Sequence, residues 1–171
     1  MGAVGETPTS AGVGGAQVRL LWTVAAVVYL IDVASKAAVV AGLEGRPAVP
    51  VFGTWMQLRV QRNPGAAFGI GAAATIVFSV IAVVVAVVVV RLSRRLTSRS
   101  WALALGLLLG GALGNLTDRV FRSPAALSGA VVDFIAVRGF SVMNLADWAI
   151  CCGAVLAIGA SLRARRPAGD G

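Results

Sequence analysis

The sequence predicts an all-α membrane protein with four transmembrane helices and a small extracytoplasmic β-rich cap. Hydrophobic residues make up 58% of the 171-residue chain and charged residues only 13%, whereas soluble chains average about 25% charged residues. The apolar residues also gather into four long runs. A chain of this length holds roughly four spans of about 20 residues together with their connections.

The first predicted span covers about residues 20–43, and the stretch before it has a different composition. Residues 1–17 are rich in Gly, Ala, Ser and Thr without an apolar period, so we expect a disordered cytoplasmic tail there. The apolar run is longer than the hydrophobic part of a cleavable signal peptide, and we expect it to be retained. The membrane domain then covers residues 18–166, with a short C-terminal tail at 167–171.

The polar stretch between the first two apolar runs, residues 44–64, is the predicted cap. Its patches Val-Pro-Val-Phe (49–52) and Trp-Met-Gln-Leu-Arg-Val (55–60) have the composition of strands and lie between prolines and glycine. After the cap, an apolar run follows that contains no charged residue. The three remaining spans are expected over about residues 66–90, 101–117 and 140–162.

The basic residues predict how the chain crosses the membrane. The net charge is +8, and dense arginine clusters lie at Arg91–Arg99 and Arg163–Arg166, with Arg19 before the first span. Because basic loops remain in the cytoplasm, we expect a multi-pass protein of the bacterial plasma membrane with both termini cytoplasmic. The clusters lie beside apolar runs rather than along one face, which indicates membrane lipids as partners and no nucleic acid.

The potential metal ligands are few. The sequence contains no histidine, and its two cysteines, Cys151 and Cys152, are neighbours in an apolar run. Adjacent side chains on a helix point about 100° apart, so we interpret both as small packing residues. We therefore expect no metal and no cofactor.

Four of the seven acidic residues lie in or beside apolar segments, where ionisable groups are costly and usually functional. Asp133 lies in a β-branched stretch of the second outer loop, and Asp147 lies one turn into span four. A re-entrant turn could bring the two together, although each alone could be a helix cap or half of an ion pair. Two close carboxylates share one proton, which is the chemistry of an aspartic protease.

The other polar residues of the spans occur at helical spacing. Asp32 and Lys36 are four residues apart on one face of span one, and form either a neutralised ion pair or a substrate-orienting pair. Asn115 and Arg119 share a face in the same way, after a glycine-rich stretch that permits close helix contact. We expect a site-building role for these two, and a solvated boundary pair for Asp118 with Arg119.

Five segments occur in an order and at positions that resemble lipoprotein signal peptidases, the signal peptidase II or prolipoprotein signal peptidase family. The resemblance extends from about Leu20 to Leu162. The segments are Asp32-Val-Ala-Ser-Lys36, Asn63-Pro-Gly-Ala-Ala-Phe68, Gly110-Gly-Ala-Leu-Gly-Asn-Leu-Thr-Asp-Arg119, Val131-Val-Asp-Phe134 and Asn144-Leu-Ala-Asp147.

The resemblance implies roles for particular residues. Asp133 and Asp147 match the family's catalytic dyad. Positions that shape the pocket or hold the substrate backbone or the dyad are matched by Asp32, Lys36, Asn63, Asn115, Arg119 and Asn144.

The same resemblance implies a substrate. It indicates an endopeptidase that removes the signal peptide from diacylglyceryl-modified prolipoproteins, cutting just before the lipidated cysteine at the extracytoplasmic surface. It also implies inhibition by globomycin-like cyclic peptides. Two departures concern the shape of the pocket: Met143 stands where an aromatic residue is common, and Trp148 where a small one is.

Two other classes of protein fit part of the pattern. A small four-helix proton-coupled transporter could use Asp32 or Asp147 as its proton site. The clustering of acids toward one side of the bilayer and the motif-rich outer loops favour surface chemistry instead. A purely structural membrane scaffold would leave four costly acidic residues unexplained.

Overall fold

The computed structural model describes residues 10–64, 72–123 and 128–164. Within these residues the chain forms four helices, each long and apolar enough to cross a membrane, and one four-stranded sheet. This confirms the predicted fold class. In chain order the elements are α1 (Ser10–Leu43), β1 (Val49–Phe52), β2 (Met56–Asn63), α2 (Ala72–Ser93), α3 (Arg99–Phe121), β3 (Val131–Val137), β4 (Val142–Met143) and α4 (Leu145–Ala164).

Helix α3 lies at the centre of the bundle. Of its most apolar stretch, 56% is buried, against 17% to 22% in the other three helices. Its glycines bring the neighbours close: a Cβ on Gly106 would lie 2.8 Å from the carbonyl oxygen of Leu21 in α1. A Cβ on Gly111 would lie 2.6 Å from the carbonyl oxygen of Ala146 in α4. These approaches are too short for any larger residue, so α1 and α4 pack directly on the backbone of α3.

The sheet is antiparallel, with strand order β1-β2-β3-β4. Its first two strands confirm the cap predicted over residues 44–64, and the connection between α3 and α4 adds the other two. Asp133 pairs with Gln61 and therefore lies on β3 of this sheet, and β4 pairs with β3 on the way back to Asp147. The sheet thus joins the α1–α2 connection and the α3–α4 connection at one end of the bundle.

Span four begins later than predicted. The expectation of a helix from Phe140 is wrong, because Val142 and Met143 form β4 and pair with Ala136 and Ile135 of β3. The apolar character that suggested an early helix belongs to a strand. Helix α4 consequently begins at Leu145, directly after the sheet.

The N-terminal boundary also differs. Helix α1 begins at Ser10, so the predicted tail is wrong for residues 10–17. At Gly14 the helix lies beside the α2–α3 connection, since a Cβ there would lie 3.7 Å from the carbonyl oxygen of Leu96. The first nine residues, the start of predicted span two and the C-terminal tail at 167–171 lie outside the described residues.

Candidate active site

The start of helix α4 holds Asp147 in place. The backbone N–H of Asp147 donates to Oδ1 of Asn144 at 2.9 Å, and the backbone N–H of Asn144 donates to Oδ2 of Asp147 at 3.1 Å. This reciprocal arrangement is a capping box, here with Asn as the N-cap and Asp as the third helical residue. The four residues Asn144-Leu-Ala-Asp147 therefore begin the helix and orient the carboxylate together.

Asp133 reaches the same place from the sheet. Its Oδ1 accepts a hydrogen bond from Nδ2 of Asn144 at 2.7 Å, and its Oδ2 accepts one from Nδ2 of Asn63 at 2.9 Å. Asn63 lies two residues beyond Gln61, the partner of Asp133 on β2, so both side chains are on one face of the sheet. Asp133 is only 1% exposed, and both of its oxygens are held by amides.

Asn115 of α3 connects the two aspartates through hydrogen bonds. Its Nδ2 donates to Oδ1 of Asp147 at 2.8 Å. Its Oδ1 accepts from Nδ2 of Asn144 at 3.1 Å and from Nζ of Lys36 at 2.9 Å. Because Asn144 also contacts Asp133, a continuous chain of hydrogen bonds connects both carboxylates.

The environment of Asp133 favours its neutral form. The pKa of its carboxyl is raised to about 6, chiefly by burial and also by the negative charge of Asp147. The hydrogen bonds from Asn63 and Asn144 and the charge of Lys36 act in the opposite direction. A carboxyl with a raised pKa beside a second carboxylate provides a proton donor and a proton acceptor in one site.

A cavity of about 330 Å³ opens beside Asp147 between helices α2, α3 and α4. Its polar end is formed by Asn63, Asn115, Arg119 and Asp147. The guanidinium of Arg119 donates to the carbonyl oxygen of Asn115 at 3.3 Å and lies 5.7 Å from the ring centre of Phe78. Apolar side chains line the rest of the cavity: Phe78, Ile81, Ala82, Val85, Leu108, Ala112 and Ile150.

A buried ion-pair cluster lies behind the two aspartates. Nζ of Lys36 is 2.7 Å from Oδ2 of Asp32 and 3.0 Å from Oδ2 of Asp118. The other oxygen of Asp32 accepts from the backbone N–H of Ala146, next to Asp147, at 2.9 Å. Asp32 and Lys36 thus form a neutralised pair that also contacts the start of α4.

The expectation of a solvated boundary pair at Asp118 is wrong. Asp118 is 3% exposed, contacts Lys36 and Arg122, and accepts from the backbone N–H of Val132 at 3.1 Å. Strand β3 folds back over the end of α3 and removes Asp118 from solvent. The sequence signal that sequence reasoning overlooked is the four-residue spacing of Asp118 and Arg122, which is that of a helical ion pair.

The eight residues singled out from the sequence come together at this one end of the bundle. They either belong to the hydrogen-bonded network or line the cavity: Asp32, Lys36, Asn63, Asn115, Arg119, Asp133, Asn144 and Asp147. In the part of the chain that the structure describes, no three acidic, cysteine or histidine side chains form a set that could hold a metal ion.

The chain matches known proteins over most of its length. The family model described as signal peptidase (SPase) II matches residues 24–163. A lipoprotein signal peptidase of Streptomyces griseus subsp. griseus is 52% identical over 164 residues, which are 96% of this chain and 84% of that protein. One of Rhodococcus jostii is 47% identical over 151 residues, 88% of this chain and 76% of that protein. A solved bacterial membrane enzyme superposes with a TM-score of 0.73 at 28% identity, over 86% of this chain and 93% of that chain.

Proposed function

This chain belongs to the signal peptidase II family, and from that premise we propose that Asp133 and Asp147 cleave the substrate as an aspartic dyad. The protein is a membrane peptidase that removes signal peptides from prolipoproteins. One observation carries the proposal: Asn144 connects the carboxylates of Asp133 and Asp147, which come from distant segments, and Asp147 lies at the polar end of a membrane cavity. The transporter alternative has no support among the relatives.

In the proposed mechanism Asp147 is the base and Asp133 is the acid. Asp147 lines the cavity and takes a proton from water as the water oxygen attacks the scissile carbonyl carbon. Asp133, whose pKa is raised to about 6 chiefly by burial, donates its proton to the carbonyl oxygen. When the tetrahedral intermediate collapses, the C–N bond breaks, Asp147 passes its proton to the leaving nitrogen, and Asp133 regains its own. The reaction consumes one water and leaves the enzyme unchanged.

We infer that the substrate is the diacylglyceryl-modified form of the prolipoprotein. The cavity has apolar walls from α2, α3 and α4, and its polar end contains Asp147 and Arg119. An acyl chain on the cysteine fits the apolar walls, and the peptide bond just before that cysteine then lies near the carboxylates. Arg119 is placed to donate to a substrate carbonyl. Globomycin-like cyclic peptides with an acyl tail suit the same two-part cavity.

We also propose that the site faces the extracytoplasmic side. The sheet and the two aspartates lie at one end of the bundle, whereas Arg91 and Arg99 lie at the opposite ends of α2 and α3. Basic connections remain cytoplasmic, which supports cytoplasmic termini in the bacterial plasma membrane. The scissile bond of a lipid-anchored precursor would then meet the dyad at the outer surface of the bilayer.

The test uses the purified protein in lipid nanodiscs. A diacylglyceryl-modified precursor and its unmodified counterpart are incubated separately, and the cleavage products are identified by mass spectrometry. We expect cleavage of the modified precursor only, just before the lipidated cysteine. D133N and D147N should each abolish cleavage while the thermal unfolding transition is retained.

Glu44→Gln is the matched control. It makes the same carboxylate-to-amide change in an exposed ion pair with Arg62 and should leave cleavage intact. Full activity in D133N or D147N would remove that residue from the dyad. Equal cleavage of both precursors would overturn the assignment of the lipid-modified substrate.

A further inference from the structure

We propose that Asp118 is a positioning residue of this reaction: it fixes strand β3, and with it the Asp133 carboxylate, to helices α1 and α3. The inference rests on the function proposed for Asp133. Asp118 is a buried charged residue that takes no part in the proposed proton transfers. Asp118 is also absent from the residues that line the cavity.

The contact with β3 is direct. Oδ2 of Asp118 accepts from the backbone N–H of Val132, the residue before Asp133, at 3.1 Å. Strand β4 is only two residues long and pairs with Ile135 and Ala136, which leaves the N–H of Val132 to this carboxylate. A buried backbone N–H without an acceptor would cost free energy, so Asp118 both satisfies this edge of β3 and sets its distance from α3.

Lys36 extends the attachment to the other half of the dyad. An ammonium has three N–H donors, and three acceptors surround Nζ of Lys36: Asp32 at 2.7 Å, Asn115 at 2.9 Å and Asp118 at 3.0 Å. Asp32 in turn accepts from the N–H of Ala146, next to Asp147. One buried cation therefore joins the anchor of β3 to the anchor of α4.

The buried cluster contains two negative and two positive side chains, so its net charge is zero. The two carboxylates, Asp32 and Asp118, face Lys36 and Arg122, and Arg122 contacts Oδ1 of Asp118. Each oxygen of Asp118 thus contacts a cationic side chain, and Oδ2 also accepts from the backbone of β3, so this carboxylate connects the strand to Lys36 and Arg122. Removing one charge from such a buried cluster leaves another uncompensated.

If the charge of Asp118 is removed and β3 moves, the pH dependence of cleavage should change. Asp133 interacts electrostatically with Asp147 of α4, Lys36 of α1 and Arg119 of α3. Burial is the main reason that its pKa is raised to about 6. If β3 moves away from α3, Asp133 becomes more solvated and its pKa falls. Loss of its charge partner also leaves Lys36 freer to stabilise the ionised form, so both effects shift the pH profile toward lower pH.

The experiment compares D118N with wild type and with Glu44→Gln, the same chemical change in an exposed ion pair. Steady-state kinetics with the diacylglyceryl-modified precursor give kcat, KM and the pH profile. Hydrogen exchange by mass spectrometry reports the amides of residues 131–134 without any substrate. For D118N we expect kcat to fall about tenfold and KM to stay within about threefold of wild type. The pH profile should move to lower pH, and the amides of residues 131–134 should exchange faster.

Two further variants keep the result decisive if D118N folds poorly. D118E retains the charge and should recover part of kcat. Arg122→Gln leaves Asp118 in place but removes its outer partner, and should give a smaller change in the same direction. These variants separate the loss of charge from the loss of side-chain length.

The outcomes distinguish this inference from the proposed function. Wild-type kcat and pH profile in D118N would overturn the positioning role, and so would a fall in kcat with unchanged exchange in residues 131–134. If the wild-type protein cleaves no precursor, the proposed function fails. The exchange measurement would still decide whether Asp118 holds β3.

Discussion

The carboxylates of Asp133 and Asp147 are joined through a single residue, Asn144. Its Nδ2 donates to Asp133 at 2.7 Å, and its backbone N–H donates to Asp147 at 3.1 Å. Asn144 is also the N-cap of α4, since its Oδ1 accepts from the N–H of Asp147. One residue thus begins a helix through its side-chain oxygen and contacts both acids through its side-chain amide and its backbone N–H, and substitutions can separate these roles.

Asn144→Ser should preserve the helix start and impair catalysis. Serine is a good N-cap, but it has no amide to donate to Asp133 or Asn115. We expect a thermal midpoint close to wild type and a kcat lower by about tenfold or more. Asn144→Ala loses both tasks and should in addition destabilise the protein by about 1 kcal/mol. Differential scanning fluorimetry and cleavage kinetics measure the two effects, and full activity in Asn144→Ser would show that the bridging amide is dispensable.

Asp133→Asn should make the inactive protein more stable at neutral pH. The pKa of Asp133 is raised from 3.8 to about 6 by burial, so the folded state favours the neutral carboxyl. That stabilising contribution is complete below about pH 4 and is lost as the pH rises through about 6. A neutral amide avoids the loss, although Asn63 must turn its amide to match. We expect a gain of about 1–2 kcal/mol at pH 7.5.

The expected gain in stability of Asp133→Asn should depend on pH, and this dependence provides the control. Near pH 3.5 the carboxyl is neutral in the folded chain and mostly neutral in the unfolded chain, so Asp133→Asn should then unfold close to the wild-type midpoint. Thermal midpoints of both proteins between pH 3.5 and pH 7.5 test this. A gain independent of pH would assign the effect to packing or hydrogen bonding rather than to a buried charge.

The importance of Asp133 and Asp147 could be predicted because acidic residues in or beside apolar runs are rare, whereas Asn63 and Asn144 were indicated only by the resemblance to lipoprotein signal peptidases. Only four acids lie in or beside apolar runs, so each requires a physical reason, and helical spacing already paired Asp32 with Lys36. The first half of the cap was visible from strand-like composition between prolines. These features depend on local composition and spacing, which a single sequence contains.

The remaining errors share a tertiary cause. Asp118 was expected at a solvated boundary, and a helix was expected from Phe140. Strand β3 explains both, because it covers Asp118 and pairs with Val142–Met143. Contacts between segments distant in sequence decide these positions, and local patterns do not contain them.

Gly110→Ala should separate α1 from α3. A Cβ at this position would lie 2.7 Å from the carbonyl oxygen of Ala25 and 2.7 Å from Cβ of Val28. Neither atom belongs to a flexible side-chain end, so the helices must move apart, at a cost of about 1–3 kcal/mol. Gly159→Ala is the control, since nothing lies within 4 Å of its added Cβ. Equal thermal midpoints for the two variants would contradict the close packing of α1 on α3.

Ala82→Leu should narrow the apolar part of the cavity without touching its polar end. Ala82 of α2 lines this cavity with Val85 and Ile150, and a leucine there occupies space assigned to an acyl chain. We expect KM for a precursor with long acyl chains to rise about tenfold or more, from the lost burial of two or three methylene groups. The exposed Ala154 of α4 does not line the cavity, and Ala154→Leu should leave KM unchanged. A precursor with acyl chains of about four carbons should be impaired much less, because its lipid reaches less of the narrowed wall. If Ala82→Leu raised KM equally for both chain lengths, the acyl chains would have to lie elsewhere on the protein.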